Sequence, residues 1–262
     1  MQLRVRFRAA LAVLALAATV LATTGSVATA SGPSAGRAAK LSGSITVFAA
    51  SSLTEVFTKI GSDFQRLHPG TTVTFNFNAS STLAAQIQQA APADVFASAD
   101  PSNMTKVAGQ ISGRAVFAEN LLQIAVAPGN PKHIRSLADT LKPGVQLVLC
   151  APAVPCGEFA LQAYAKQHLQ VGNVPTGLNV KDTLQKVTLG EADAAVVYVT
   201  DVLSAKGSVT GVRIPLSQNV VAVYPIGVVK DSSNTPVARA FETYVLSAAG
   251  QRTMRQFGFL RP

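Results

Sequence analysis

The sequence predicts an α/β fold, and three observations carry that prediction. Short apolar runs typical of buried strands alternate along the chain with segments whose apolar residues recur at helical spacing. A Pro-Gly pair ends the first helical segment, and no motif repeats at a period of about 20–50 residues, which excludes a solenoid. Because strands that alternate with helices are joined by crossovers, we expect parallel strands covered by helices. The pattern leaves open whether there is one sheet or two similar lobes.

Each element is predicted from its own pattern. The helix after the first strand has apolar residues at positions 53, 56, 57, 60, 64 and 67. Residues 73–77 alternate as a half-buried strand does, and Pro101 stands where proline is favoured, at a first helical position. The predicted strands are 45–48, 73–77, 94–97, 122–127, 145–150, 194–198 and 220–229, and the predicted helices are 53–67, 83–90, one opened by Pro101, 158–168, 180–189 and one or two within 236–257.

Residues 1–30 have the three parts of a secretory signal peptide. Arg4, Arg6 and Arg8 form a basic region, residues 9–22 are apolar, and an Ala-Thr-Ala sequence at 28–30 supplies a cleavage pattern. These 14 apolar residues are fewer than the about 20 that span a bilayer, so we expect cleavage and not an anchor. No cysteine occurs before position 150, which excludes a lipid-anchored N-terminus. We therefore expect a soluble protein in the periplasm or another extracytoplasmic space.

Residues 31–42 are small and polar and are predicted to form a flexible linker. They contain a G-x-S-x-G pattern at 32–36, which is the nucleophile elbow of some hydrolases. That motif requires a strand before it and a helix after it, whereas here a cleavage site precedes it and a linker follows. The pattern therefore predicts no hydrolase site.

Composition excludes several kinds of site. The chain has 262 residues with 22 Lys+Arg and 13 Asp+Glu, a net charge of +9, and loss of the three arginines in residues 1–30 leaves +6. This excess could guide an anion, but no dense basic stripe with interleaved aromatic residues predicts nucleic-acid binding. His68, His133 and His168 are scattered, and the chain has two cysteines, so no metal site and no cofactor are predicted.

Small or hydroxyl residues mark four strand-to-helix junctions. Ser52 begins a Ser-Leu-Thr-Glu capping box, in which Glu55 would reach back to the backbone. Ser80 lies in a second such junction, a Pro-Cys-Gly sequence at 155–157 precedes the next helix, and Asn179 opens the fourth. In α/β folds such helix ends lie at the carboxyl edge of the sheet, where their N–H groups suit an anion. Many donors without an acceptor for a ligand proton favour a fully deprotonated oxyanion, although capping alone explains part of the pattern.

Four segments carry a family resemblance. They are VFAASSL at 47–53, ASSTLA at 79–84, APADVFASAD at 91–100 and GEADAAVVY at 190–198. In this order and spacing they resemble the substrate-binding proteins of molybdate ABC transporters, and the resemblance covers residues 45–259. It implies a two-lobed periplasmic-binding-protein fold with hinge strands between the lobes and the ligand in the interlobe cleft. We expect residues 43–120 and 226–262 in lobe I and residues 121–225 in lobe II.

The resemblance also implies a function and a set of site residues. A monomeric protein that is not an enzyme would capture molybdate, with tungstate as a second ligand, and deliver it to an ABC permease. The oxyanion would be bound without a metal ion or a cationic side chain. Its expected donors are the hydroxyls of Ser52 and Ser80 (with Ser81 as the less favoured substitute for Ser80), the backbone N–H groups of Cys156 and Val180, and the phenol of Tyr198.

Two cysteines depart from the family pattern. The best-known family members have a small residue such as alanine at the position of Cys156, whereas here Cys150 and Cys156 bracket the binding loop. In an exported protein we expect them to form a disulfide. Two other readings stay open: a binder of sulfate or phosphate, or an exported hydrolase in which Cys156 or a serine is the nucleophile.

Overall fold

The computed structural model describes residues 40–262. The predicted signal peptide and most of the predicted linker therefore lie outside the described residues. Within 40–262, no helix combines the length and the hydropathy needed to cross a membrane.

The described chain alternates strands and helices from its first strand onward. The strands are β1 (Gly43–Ala50), β2 (Thr71–Asn78), β3 (Val95–Ala97), β4 (Ile111–Val126), β5 (Leu147–Cys150), β6 (Thr176–Gly177), β7 (Ala194–Tyr198), β8 (Thr210–Arg213) and β9 (Val221–Val229). The helices are α1 (Thr54–Leu67), α2 (Ser80–Gln88), α3 (Pro101–Lys106), α4 (Pro155–Ala165), α5 (Val180–Thr188), α6 (Val199–Ser204), α7 (Thr235–Leu246) and α8 (Ala248–Gln256), with short 3₁₀ turns at Ser51–Leu53 and Ala138–Leu141.

The strands join in the order β2-β1-β3-β9-β4-β7-β5-β6, and β8 adds to β4. The prediction of parallel strands is correct toward both ends of this order, where β1 is parallel to β2 and β3, and β5 is parallel to β6 and β7. It is wrong in the middle, where β9 is antiparallel to β3 and β4, and β4 is antiparallel to β7 and β8. The α/β class predicted from the alternation is confirmed, with a mixed sheet.

Strands β4 and β9 link the two groups of parallel strands. The first part of β4, from Ile111 to Leu121, pairs with β9, whereas its last part, from Leu122 to Val126, pairs with β7 and β8. The sequence pattern predicted only this last part, because residues 111–120 (ISGRAVFAEN) mix glycine and charged residues with the apolar ones. Two register shifts interrupt the pairing of this irregular stretch with β9.

Helix α1, which follows β1, packs its apolar stripe against the sheet. Helix α1 buries one stripe, in which Phe57 and Phe64 have no exposed surface. The Phe57 ring is within 6.2 Å (centroid to centroid) of the rings of Phe75, Phe117 and Phe241. This aromatic cluster holds the start of α1, and the residues just before it, against the sheet.

Two helices begin earlier than the sequence predicted. Helix α2 begins at Ser80, not at residue 83, and helix α4 begins at Pro155, not at residue 158. The first helical turn needs no N–H partner inside the helix, so serine and proline are readily accommodated there. The consequence is that Ser80 and Cys156 lie within first helical turns and not before them.

Candidate functional site

The N-terminal ends of four helical segments meet around one small cleft. These are the 3₁₀ turn that begins at Ser51 and helices α2, α4 and α5. The cleft holds about 210 Å³ of space that protein atoms do not occupy, part of which is open to solvent. It is lined by Ala50, Ser51, Ser52, Asn78, Ala79, Ser80, Ala99, Val154, Pro155, Cys156, Asn179, Val180 and Tyr198.

The strand order explains why these residues meet. Strands β1 and β2 end immediately before a turn or helix of the cleft, a four-residue loop joins β5 to α4, and β7 ends at Tyr198 itself. Ligands of α/β proteins bind at the carboxyl ends of parallel strands. The group of β1, β2 and β3 and the group of β5, β6 and β7 run in opposite directions beside the first and last parts of β4, so their carboxyl ends point toward the middle of β4 from opposite sides. All five residues expected from the sequence, Ser52, Ser80, Cys156, Val180 and Tyr198, therefore line the same cleft. Ser81 is not among the lining residues.

The side chain of Ser52 does not cap a helix, so the predicted capping box is wrong. No side-chain cap is present at the start of α1 or of the 3₁₀ turn before it. The Ser52 hydroxyl lies instead 2.9 Å from the hydroxyl of Tyr224, and Glu55 binds Lys181. The 3₁₀ turn at Ser51–Leu53 separates β1 from α1 and directs Ser52 into the cleft.

Ser80 is held by the backbone of a neighbouring segment. Its Oγ accepts a hydrogen bond from the N–H of Ala99 at 2.9 Å, and its side chain is buried. A serine hydroxyl that accepts one hydrogen bond still has its own proton to donate. Ser80 lines the cleft, so this proton is available to a ligand there.

Helices α4 and α5 each leave one N–H group at the cleft without an acceptor in the described chain. In α4 the carbonyl of Val154 accepts from Gly157 and Glu158, which leaves the N–H of Cys156. In α5 the side chain of Asn179 accepts from the residues at 181 and 182, which leaves the N–H of Val180. First-turn N–H groups carry the positive end of the helix dipole, so both suit an anionic ligand.

Tyr198 contributes a buried hydroxyl that makes no hydrogen bond within residues 40–262. Its side chain is 1% exposed and lines the cleft. Burial raises the pKa of Tyr198 well above its ordinary value, and the neighbouring Tyr224 phenol adds to the rise. The hydroxyl therefore keeps its proton and can donate it to an acceptor in the cleft.

The disulfide expected between Cys150 and Cys156 is present, and both cysteines are buried. It joins the end of β5 to the first turn of α4, where Cys156 lines the cleft. Because the whole chain has two cysteines, no thiol remains to act as a nucleophile. This excludes the reading of the chain as an exported thiol hydrolase.

The double variant Cys150→Ser, Cys156→Ser is expected to lose about 2 kcal/mol of unfolding free energy, because closure of a short loop restricts the unfolded chain. The two cysteines are six positions apart. For a chain of this size the loss corresponds to a Tm lower by roughly 4–8 °C, measured by calorimetry without ligand. Wild-type protein treated with reductant is the control and should approach the variant. A variant whose Tm equals that of the oxidised wild type would contradict the prediction.

Charged residues stand beside the cleft but do not line it. The Lys181 ammonium is 2.8 Å from both carboxylate oxygens of Glu55, 2.9 Å from Ser204 Oγ and 3.2 Å from Asp201 Oδ1. Asp201 is fully buried, and burial raises its pKa to about 6, although Lys181 acts in the opposite direction. Among the described residues that line the cleft, none has a formally charged side chain, so neutral donors alone face a ligand there.

Sequence reasoning missed Tyr224 and the Lys181 cluster. The Ser52–Tyr224 contact joins residues 172 positions apart, and the Lys181–Glu55 contact joins residues 126 apart. No local pattern marks either pair. The available signal was the Pro-flanked tyrosine within the apolar run 220–229, since a tyrosine buried in a central strand needs a partner for its hydroxyl.

Comparison with known sequences finds a match over most of the chain. The sequence profile of a family described as bacterial extracellular solute-binding protein matches residues 45–260. The molybdate-binding protein ModA of Mycobacterium tuberculosis strain H37Rv is 46% identical over 222 residues, which cover 84% of this chain and 85% of that protein.

Comparison with solved structures finds the same fold in oxyanion-binding proteins. The periplasmic molybdate-binding protein of Azotobacter vinelandii matches with a TM-score of 0.75 at 18% identity, covering 83% of this chain and 99% of that one. The sulfate-binding protein SubI of Mycobacterium tuberculosis H37Rv matches with a TM-score of 0.73 at 19% identity, covering 82% and 86%. These likenesses establish the two-lobed periplasmic-binding-protein fold.

Proposed function

This chain belongs to the bacterial extracellular solute-binding proteins, and on that premise we propose that it captures molybdate outside the cytoplasm for an ABC permease. Tungstate is its second ligand. The 46% identity to a molybdate-binding protein supports molybdate as the ligand. The protein acts as a soluble monomer, catalyses no reaction and binds no nucleic acid.

The observation that carries the proposal is the set of five neutral donors around one small cleft. The hydroxyls of Ser52, Ser80 and Tyr198 and the N–H groups of Cys156 and Val180 can all donate to the same ligand. Hydrogen bonds to a charged partner contribute roughly 1.5–3 kcal/mol each. Neutral donors disperse the charge of the anion, so no buried ion pair is needed to offset its loss of hydration.

The cleft also explains why a fully deprotonated anion is preferred. Two side-chain amides line it, and each uses its oxygen elsewhere. Asn78 Oδ1 accepts from the N–H of Ala79 at 2.8 Å, and Asn179 Oδ1 accepts from two N–H groups of α5. A ligand that carries its own proton, as phosphate does near neutral pH, would have to share an amide oxygen that already accepts a hydrogen bond. Molybdate at that pH has only acceptors to offer.

The lobe boundaries are part of the proposal. Lobe I comprises residues 43–120 and 226–262, and lobe II comprises residues 121–225. The pairing of β4 supports a crossing near residue 120, since β4 changes its partners from β9 to β7 and β8 at that point. On this assignment Ser52 and Ser80 come from lobe I and the other three donors from lobe II, so closure would bring both sets onto one ion.

Sulfate is the second candidate ligand, on the chemistry of the donor set alone. Sulfate is also a tetrahedral dianion without a proton, so the absence of a proton acceptor does not by itself exclude it. The match to a sulfate-binding protein, at 19% identity, supports the fold alone. Molybdate is therefore the better-supported ligand, because the molybdate-binding relative is 46% identical.

Thermal unfolding of ligand-free protein with molybdate, tungstate, sulfate and phosphate, each added separately, tests the proposal. A ligand present at 100 times its Kd stabilises the folded state by about 2.7 kcal/mol, which corresponds to a Tm rise of roughly 5–11 °C. We expect the rise with molybdate and tungstate. A rise with sulfate or phosphate alone would contradict molybdate as the ligand but not the oxyanion site. No rise with any of the four anions would contradict the oxyanion site itself.

A further inference from the structure

Tyr224 lies behind the cleft and contacts two of its donors. Its hydroxyl is 2.9 Å from Ser52 Oγ, and its ring packs edge-on against that of Tyr198 at 6.1 Å between centroids. Tyr224 has no exposed surface and is not among the residues that line the cleft. It comes from β9, one of the two strands at the middle of the sheet. Tyr224 could therefore affect a bound ligand only through Ser52 and Tyr198.

The Ser52–Tyr224 pair has two possible proton arrangements, because either oxygen can be the donor. If Ser52 donates to Tyr224, the Ser52 oxygen faces the cleft with lone pairs, which repel an anion. If Tyr224 donates to Ser52, the single proton of the serine stays available for the ligand. An oxyanion that can only accept hydrogen bonds selects the second arrangement.

We propose that Tyr224 is a positioning residue that donates its proton to Ser52 Oγ and so commits the Ser52 hydroxyl to the bound oxyanion. This inference rests on the proposed function. A hydroxyl that accepts a hydrogen bond becomes a stronger donor, because hydrogen bonds in a chain polarise one another. Tyr224 thereby strengthens the contact between Ser52 and the anion without touching the anion.

The packing around Tyr224 suits this role. Its ring also meets the rings of Phe117 and Phe259 edge-on, with centroids 6.2 and 5.5 Å away. Three edge-to-face contacts hold the ring, which keeps its oxygen 2.9 Å from Ser52 Oγ. Burial raises the pKa of Tyr224 above its ordinary value, which keeps its proton in place.

The variant Tyr224→Phe tests the inference, because it removes the hydroxyl and keeps the ring contacts. We expect its Kd for molybdate, measured by titration calorimetry, to rise about three- to tenfold, as for the loss of one hydrogen bond. The deciding measurement is the same substitution in a Ser52→Ala background, where we expect the Kd to change less than about twofold. A merely structural role would cause the same loss in both backgrounds.

A second readout uses stability without ligand. Ser52→Ala leaves the Tyr224 hydroxyl buried without its partner, so adding Tyr224→Phe should raise the Tm of the Ser52→Ala protein. Tyr164→Phe is the matched control, because it also removes a buried phenol, bonded to Thr140 at 2.6 Å outside the cleft, and it should leave the Kd unchanged. An unchanged Kd in Tyr224→Phe, or equal losses in both backgrounds, would overturn the inference. Failure of the wild type to bind any oxyanion would overturn the proposed function instead.

Discussion

Replacement of both Ser52 and Ser80 by alanine is expected to weaken molybdate binding by about a hundredfold or more. Each serine supplies one hydrogen bond to a charged ligand, and the loss of each is worth roughly tenfold or more in Kd. Both hydroxyls line the cleft and have a protein partner, Ser52 Oγ at 2.9 Å from the Tyr224 hydroxyl and Ser80 Oγ as acceptor from the N–H of Ala99. Titration calorimetry of ligand-free protein at pH 7 measures the loss.

The neighbouring serine provides the control for that variant. Ser81 is adjacent in sequence, is half-buried and does not line the cleft, so Ser81→Ala should bind molybdate as the wild type does. The single variant Ser80→Ala should also lower the unfolding free energy by about 1–3 kcal/mol, because it leaves the buried N–H of Ala99 without its acceptor. Binding by the double variant within threefold of wild type, or a large loss in Ser81→Ala, would contradict the assignment of the two serines.

Tyr198→Phe is expected to stabilise the protein without ligand while it weakens binding. The Tyr198 hydroxyl is buried and makes no hydrogen bond within the described chain. An unsatisfied buried polar group costs about 1–3 kcal/mol, so its removal should raise the Tm by at least roughly 2–4 °C. The variant also loses one donor to the anion, which should raise the Kd for molybdate about tenfold. Calorimetric unfolding and ligand titration on the same preparation give both values.

Tyr164→Phe is expected to change the Tm without ligand in the opposite direction. The Tyr164 hydroxyl is also buried, but it is paired with Thr140 Oγ1. Its removal should lower the Tm and leave the Kd for molybdate unchanged. If Tyr198→Phe also lowers the Tm without ligand, its hydroxyl has a structural partner and is not held in reserve for the anion.

Local patterns predicted the fold class and, together with the family resemblance, a set of residues that line one cleft. Helical spacing of apolar residues predicted α1 and α5 to within about a residue, and short apolar runs predicted β7 as it is found. The small and hydroxyl residues at strand-to-helix junctions, read together with the family resemblance, named five residues that line one cleft. These features depend on neighbours in the chain, or on the rule that ligands of α/β proteins bind at the carboxyl ends of parallel strands.

Other features were decided only by tertiary structure. The first part of β4 has no clear apolar alternation, and it is a strand because β9 lies beside it. Ser52 and Glu55 match a local capping pattern, but their side chains bond instead to Tyr224 and Lys181.

The physical reason is competition for hydrogen-bond partners. A local cap and a distant partner offer a serine or a glutamate similar hydrogen-bond energies, each about 1 kcal/mol in net terms, so the choice depends on which partner the folded chain brings within reach. The sequence determined which groups can donate to an anion in the cleft. The tertiary structure decided which of them are already satisfied by the protein and which, like the Tyr198 hydroxyl, have no partner in the described chain.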